Sequence, residues 1–174
     1  FRDRATVQAD PVTDMRGNGT HHQPPGTWSD DGALILCTVD SLLDREFDIN
    51  VKTTYLVSRA AAKVMVRQGS GTIVNFASVA ALLARPSMAA YSASKATVAA
   101  LKRSLALEMR DHGLRVKAVA PGLARSADNV LAMGEDTEAR WVQIAEIVNV
   151  VLFLASDLAS GVTGHVLPIA HGES

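Results

Sequence analysis

The sequence predicts a single α/β domain built on an incomplete, doubly wound parallel sheet. Three observations predict it. From about residue 40 onward, helical and strand-like runs alternate, the order expected of a parallel sheet with right-handed crossovers. The run Thr72–Ala77 is apolar and β-branched rather than strictly alternating, as suits a strand covered on both faces. Residues 1–31, by contrast, are rich in Asp, Thr, Gly, Pro and His with hardly any apolar periodicity, so the sheet should lack its opening part.

The elements follow in order. Residues 1–31 form an irregular or poorly packed N-terminal segment, and residues 32–174 form the α/β domain. Ala33-Leu34-Ile35-Leu36-Cys37 is a candidate fourth strand, with Cys37 a buried thiol. Phe47, Val51, Tyr55, Val57, Ala61, Val64 and Met65 recur at mostly helical spacing and predict a long helix over 44–67. Gly69-Ser70-Gly71 ends it and turns into a strand at 72–77. A helix over 88–111 follows, its Ala- and Ser-rich side suited to close packing on the sheet or on a second subunit. Next come a strand at 115–120, an irregular loop at 122–137 and a helix at 138–155 marked by Trp141, Ile144, Ile147, Val148, Val151 and Leu152. Gly161 and Gly164 break the chain before a short last strand at 165–169.

Composition narrows the function. The chain has 174 residues, 48% hydrophobic and 20% charged, which is enough for a real core. A net charge of −1 with no basic block gives nucleic-acid binding no electrostatic support. The lone Cys37 excludes an intramolecular disulfide and suits a reducing compartment. No uninterrupted apolar run reaches membrane-spanning length, and Phe1-Arg2-Asp3-Arg4 does not read as a signal peptide, so a cytoplasmic location is expected. His21 and His22 have no supporting Cys or carboxylate pattern and read as solvated histidines, not metal ligands.

The chemistry concentrates in Ala90-Tyr91-Ser92-Ala93-Ser94-Lys95. Tyr91 and Lys95 are four residues apart on a helix and share one face. An ammonium held beside a phenol stabilises the phenolate, the requirement for a tyrosine general acid or base. Ser78 stands thirteen residues upstream, at the end of the strand at 72–77, and Asn50 lies earlier in Phe47-Asp48-Ile49-Asn50-Val51-Lys52. Singly, each has a plain structural reading: a half-buried tyrosine, a surface lysine, a serine N-cap and an asparagine bonded to its own helix. Together, and in this order, they form a pattern.

That pattern resembles the short-chain dehydrogenase/reductase family. The matching pieces are I-N-V-K, G-x-I-V-N-x-A-S, Y-S-A-S-K, the R-V-x-A-V-A-P-G strand end and the closing S-D-x-A-S-x-V-T-G, between about Gly26 and Gly172. The resemblance implies a Rossmann-like sheet and an NAD(P)-dependent oxidoreductase that interconverts an alcohol and a carbonyl in a homo-oligomer. It makes Asn50, Ser78, Tyr91 and Lys95 catalytic and assigns Tyr91, Lys95, Pro121, Gly122 and Ser126 to the cofactor, NAD or NADP. Hydride transfer to a carbonyl leaves negative charge on oxygen, which Tyr91 would neutralise with a proton. Lys95 would hold the nicotinamide ribose and support Tyr91, Ser78 would hydrogen-bond the carbonyl oxygen, and Asn50 would fix a water joining Lys95 to solvent.

The sequence also departs from that family. No glycine-rich turn runs from a strand into a helix; Gly17-Asn18-Gly19 lacks a third glycine and reads as a polar loop. Pro24-Pro25-Gly26 stands in place of an N-N-A-G turn, and the Asp10 segment lies too close to Gly26 for the usual helix and strand between them. Ser126 replaces a threonine, and Ile169-Ala170-His171-Gly172 replaces V-D-G-G, which removes an acidic residue. Two readings stay open: an oxidoreductase with a divergent cofactor half, or a truncated, catalytically silent relative acting only as an oligomerisation or interaction module.

Overall fold

A computed structural model of the chain describes residues 41–83, 86–133 and 141–171. The expectations for residues 1–31, for a strand at 33–37, for Cys37 and for Gly172 lie outside the described residues. Leu43–Ser174 forms one compact unit. Its helical turn at 43–46 runs into a π-helical turn, Phe47–Lys52, and then into helix α1, Thr53–Gln68. Strand β1 is Gly71–Phe76, followed by a 3₁₀ turn at Val79–Ala81 and helix α2, Ala89–Met109. Strand β2 is Leu114–Pro121, helix α3 Ala127–Met133, helix α4 Ile144–Ala155 and strand β3 Val166–Ile169.

The described strands form the expected parallel sheet, in the order β1-β2-β3. Gly71 pairs with Leu114 through to Phe76 with Val119, and Ala118 pairs with Val166 through to Pro121 with Ile169. β2 is central and covered on both faces: Val116, Ala118, Val119 and Ala120 have no exposed surface. On one face, Ile73, Leu114 and Val116 pack with Ala62 of α1 and Leu105 and Ala106 of α2. Ala77, Ala99, Ala118 and Ala120 meet on that side, so the small residues of α2 bring its backbone close to the sheet. On the other face, Val119 packs with Leu154 of α4 and with Ala159. Helices on opposite faces make the sheet doubly wound, as the sequence predicts.

Three local expectations are corrected. The irregular loop at 122–137 contains α3, a helix with Ser126 before it whose hydroxyl accepts from Asn129 N–H at 3.2 Å. The helix at 138–155 begins only at Ile144. Val142 is held in a parallel bridge to Ala124, and Gln143 and Glu146 close a capping box that starts the helix there. β1 is not apolar throughout, since Asn75 is buried and accepts from the Ser58 hydroxyl at 3.2 Å.

Two glycines end the connections into β1 and β2. Gly69 (φ 72°) closes α1, and Gly113 (φ 74°) closes the 3₁₀ turn Arg110–His112. A Cβ on Gly113 would lie 2.5 Å from the Gly69 carbonyl oxygen. Gly113→Ala therefore combines left-handed strain with a backbone clash and should destabilise the fold by about 2 kcal/mol or more. Urea denaturation checks this; an unchanged midpoint would contradict it.

Two lysines are wholly buried. Lys117 of β2 donates to Leu154 O at 2.6 Å, at the carboxyl end of α4, and to Ala159 O at 2.9 Å, in the 3₁₀ turn Asp157–Ala159 beyond it. Lys102 of α2 donates to Gly164 O at 2.6 Å. Burial, with a smaller push from Arg103, brings its ammonium from 10.5 down to about 8. The folded state then disfavours the charged form. The cost is present below pH about 8 and is relieved as pH rises towards 10.5, because the unfolded chain holds the proton longer. Wild-type stability should therefore rise over that window relative to Lys102→Met, whose loss of a hydrogen bond is independent of pH. Parallel urea curves at neutral and alkaline pH read the difference, and a pH-independent gap would refute it.

Candidate active site

The candidate residues gather at the carboxyl ends of β1 and β2, where ligands bind in open α/β sheets. Ser78 follows β1 and caps the 3₁₀ turn, accepting from Ala80 N–H at 3.2 Å. Its hydroxyl also reaches Pro121 O at 3.5 Å, which brings it beside the end of β2. The N-cap reading of Ser78 and its position at a strand end thus hold together. Gly122 leaves β2 with its N–H donated to Ile169 O at 2.9 Å, and a Cβ there would lie 3.4 Å from Ala170 Cβ.

Tyr91 and Lys95 lie on the first turns of α2, with the Lys95 Nζ 5.8 Å from the centre of the Tyr91 ring. Lys95 donates to Phe76 O at 3.1 Å, tying the helix to the end of β1. An ammonium carries three donors, so two remain for other partners. Burial holds the Lys95 ammonium below the ordinary lysine range, and the Glu46 carboxylate raises it again.

Asn50 arrives from the π-helical turn. That turn packs against α2, and the Asn50 Nδ2 donates to Ser94 Oγ at 3.1 Å and to Glu46 Oε2 at 2.6 Å. Ser94, fully buried between Tyr91 and Lys95, in turn donates to Tyr91 O at 2.8 Å. Sequence reasoning named Asn50 but missed both of its partners. The four-residue spacing of Glu46 and Asn50 was the available signal for one of them.

Not every candidate shares one hollow. A cleft of about 320 Å³ beside β1 is lined by Asn50, Asn75, Phe76 and Lys95, but not by Ser78 or Tyr91. The Asn75 Nδ2 in its wall has no hydrogen-bond partner among the described residues. Ser126 stands apart as the cap of α3, in a stretch pinned by the Ala124–Val142 bridge. At the end of β3, His171 Nε2 lies 3.0 Å from Glu146 Oε2. That contact and the Gln143 N–H hold the Glu146 carboxyl below its usual range. Among the described residues no group of His, Cys, Asp and Glu could hold a metal ion, and no helix is long and apolar enough to cross a membrane.

The family profile described as enoyl-(acyl carrier protein) reductase matches residues 28–174. The chain belongs to the short-chain dehydrogenase/reductase family. A 3alpha-hydroxysteroid dehydrogenase of Mediterraneibacter gnavus is 41% identical over 131 residues, which are 70% of this chain and 52% of that protein. Among solved structures, a short-chain type dehydrogenase/reductase from Mycobacterium ulcerans matches with a TM-score of 0.69 at 34% identity, over 73% of this chain and 50% of that one. A 4-hydroxyisoleucine dehydrogenase complexed with NADH and succinate matches with a TM-score of 0.63 at 32% identity, over 75% and 57%. This short-chain dehydrogenase/reductase thus spans about half the length of the relatives it matches.

Proposed function

We propose that this short-chain dehydrogenase/reductase supplies the proton-transfer half of an NAD- or NADP-dependent oxidoreductase that interconverts an alcohol and a carbonyl. The observation that carries the proposal is the Asn50–Ser94 hydrogen bond, which joins residues 44 positions apart and ties Asn50 to the turn that carries Tyr91 and Lys95. Chance helix composition would not bring an asparagine from one element into the middle of the Y-S-A-S-K turn of another.

In this reading Tyr91 gives a proton to the carbonyl oxygen in reduction and takes it back in oxidation. Ser78 donates to the same oxygen as charge develops there. Lys95 fits the nicotinamide ribose: it is anchored by one hydrogen bond to Phe76 O and has two donors left for vicinal hydroxyls. Pro121 and Gly122 bound the nicotinamide side, and Ser126 borders it from the start of α3. When bound, the cofactor supplies the hydride. The substrate is a small-molecule alcohol or carbonyl, and the setting is cytoplasmic.

The second reading is a catalytically silent oligomerisation or interaction module. The exposed apolar side chains of α1 favour it, including Leu56 and Val57 at 50% and 63% exposure. Incubating the chain with a panel of carbonyl compounds and saturating NADH or NADPH, then measuring alcohol by mass spectrometry, separates the two. Cofactor-dependent alcohol supports the enzyme. None at saturation, from a chain that self-associates, supports the module.

A further inference from the structure

Three stretches meet at Ser78 and Tyr91, residues 78–83, 86–94 and 120–124, and none of their side chains is charged. The 3₁₀ turn Val79–Ala81 packs against α2, and the Ser78 hydroxyl reaches Pro121 O at 3.5 Å, which brings the three together. Val79 and Ala80 are buried, whereas Leu82 and Leu83 stay 46% and 38% exposed. The backbone N–H groups of both leucines donate to Val79 O, at 2.8 and 2.9 Å, and hold them on the turn that Ser78 caps. At about 2.0 Å of rise per residue, that turn keeps Leu82 within about 8 Å of Ser78 along its axis. Leu123 follows Pro121 by two residues, and Met88, the N-cap of α2, precedes Tyr91 by three; both are half-buried.

We propose that the substrate is an uncharged ketone or secondary alcohol with a hydrocarbon body, which lies against Leu82 and Leu83. This rests on the proton-transfer reading of the site and adds to it the class of molecule. A carbonyl whose oxygen meets Ser78 and Tyr91 carries its substituents past the neighbouring turn and strand end. Leucine side chains there donate and accept no hydrogen bond. A hydroxyl on the substituent would give up water for nothing, and a carboxylate would lose far more. A hydrocarbon face, by contrast, removes two leucines from water and gains by it. Arg85, the one charged residue between Ser78 and Tyr91 in the sequence, lies outside the described residues. An anionic ketone is therefore the contrast that tests the class.

Methyl NMR of the full chain with labelled leucines, without cofactor, reads binding directly. The two ligands are methylcyclohexanone and oxocyclohexanecarboxylate, which differ in a methyl against a carboxylate at the same ring position. The Leu82 and Leu83 methyl signals should move with the neutral ketone, and the carboxylate should bind about tenfold more weakly or worse. Leu83→Asn should weaken the neutral ketone by about tenfold, the scale of a lost apolar contact in a pocket. Leu158 is the control for non-specific adhesion. It is 84% exposed in the turn Asp157–Ala159, which Arg115 ties to the start of β2, away from the site. Equal or tighter binding of the carboxylate overturns the proposal, as does an unchanged affinity in Leu83→Asn. Leu158 signals that move as far as those of Leu82 and Leu83, or no movement with either ketone, overturn it as well. Selective binding without product at saturating cofactor would instead count against the proton-transfer reading, and product without the selectivity against the substrate class.

Discussion

Tyr91→Phe is expected to lower turnover by about 10³-fold or more in any form of this protein that turns over, while leaving the fold intact. The Tyr91 ring lies 5.8 Å from the Lys95 Nζ, and general acid–base catalysis contributes about 10²–10⁴-fold. The ring remains in the variant, so the packing of α2 is kept, and among the described residues the Tyr91 hydroxyl has no hydrogen bond whose loss would loosen it. A matched pair of urea curves should superimpose while product formation collapses. Turnover within tenfold of wild type would remove Tyr91 from the mechanism and with it the acid–base reading of Lys95.

The second large effect concerns cofactor affinity. In the proposed reading, the groups that the described residues would offer a dinucleotide lie at its nicotinamide end: Lys95, the Pro121–Gly122 strand end and Ser126. A pyrophosphate is ordinarily held by a glycine-rich turn at a helix N-terminus, which combines close backbone approach with a favourable dipole. No sequence between Phe1 and Asp31 has that pattern. The chain alone should therefore bind NADH or NADPH in the millimolar range or weaker, about −4 kcal/mol or less favourable. Calorimetric titration with each cofactor measures it, and micromolar binding would mean that residues 1–31 build a phosphate site. An in-frame T-G-x-x-x-G-x-G upstream of Phe1 in the gene would point to a longer protein, in which the affinity should be restored.

The strands were legible because a covered parallel strand writes a dense apolar, β-branched run, and β2 does so from Val116 to Ala120 with little interruption. The spacing of Tyr91, Lys95, Ser78 and Asn50 was legible as a pattern, and the hydrogen bond from Asn50 into the Tyr91–Lys95 turn is its physical counterpart. Helix α3 was not legible, because Ala127–Met133 is short and set among charged residues, so its weak periodicity looks like loop. Its cap, Ser126, was read only through a family position, whereas its visible contact is with Asn129 N–H. Lys102 and Lys117 were invisible for another reason. A lysine codon says nothing of a carbonyl 62 residues away, as Gly164 is from Lys102, and only the closed fold brings the two together.

The π-helical turn Phe47–Lys52 has a consequence for how this chain can change length. Thr53 N–H reaches back to Asp48 O, five residues earlier, so the turn holds one residue more than an α-helix would. Each helical residue carries about 100° of rotation. Deleting one residue after Asn50, for instance Val51, would let the ladder relax to α geometry and swing Glu46 and Asn50 around the axis, away from Ser94. Substitutions along the outer side of the turn leave that rotation untouched. A codon-length deletion that would pass unnoticed in a surface loop would here disconnect Asn50 from Tyr91 and Lys95 while every one of the named residues was still present.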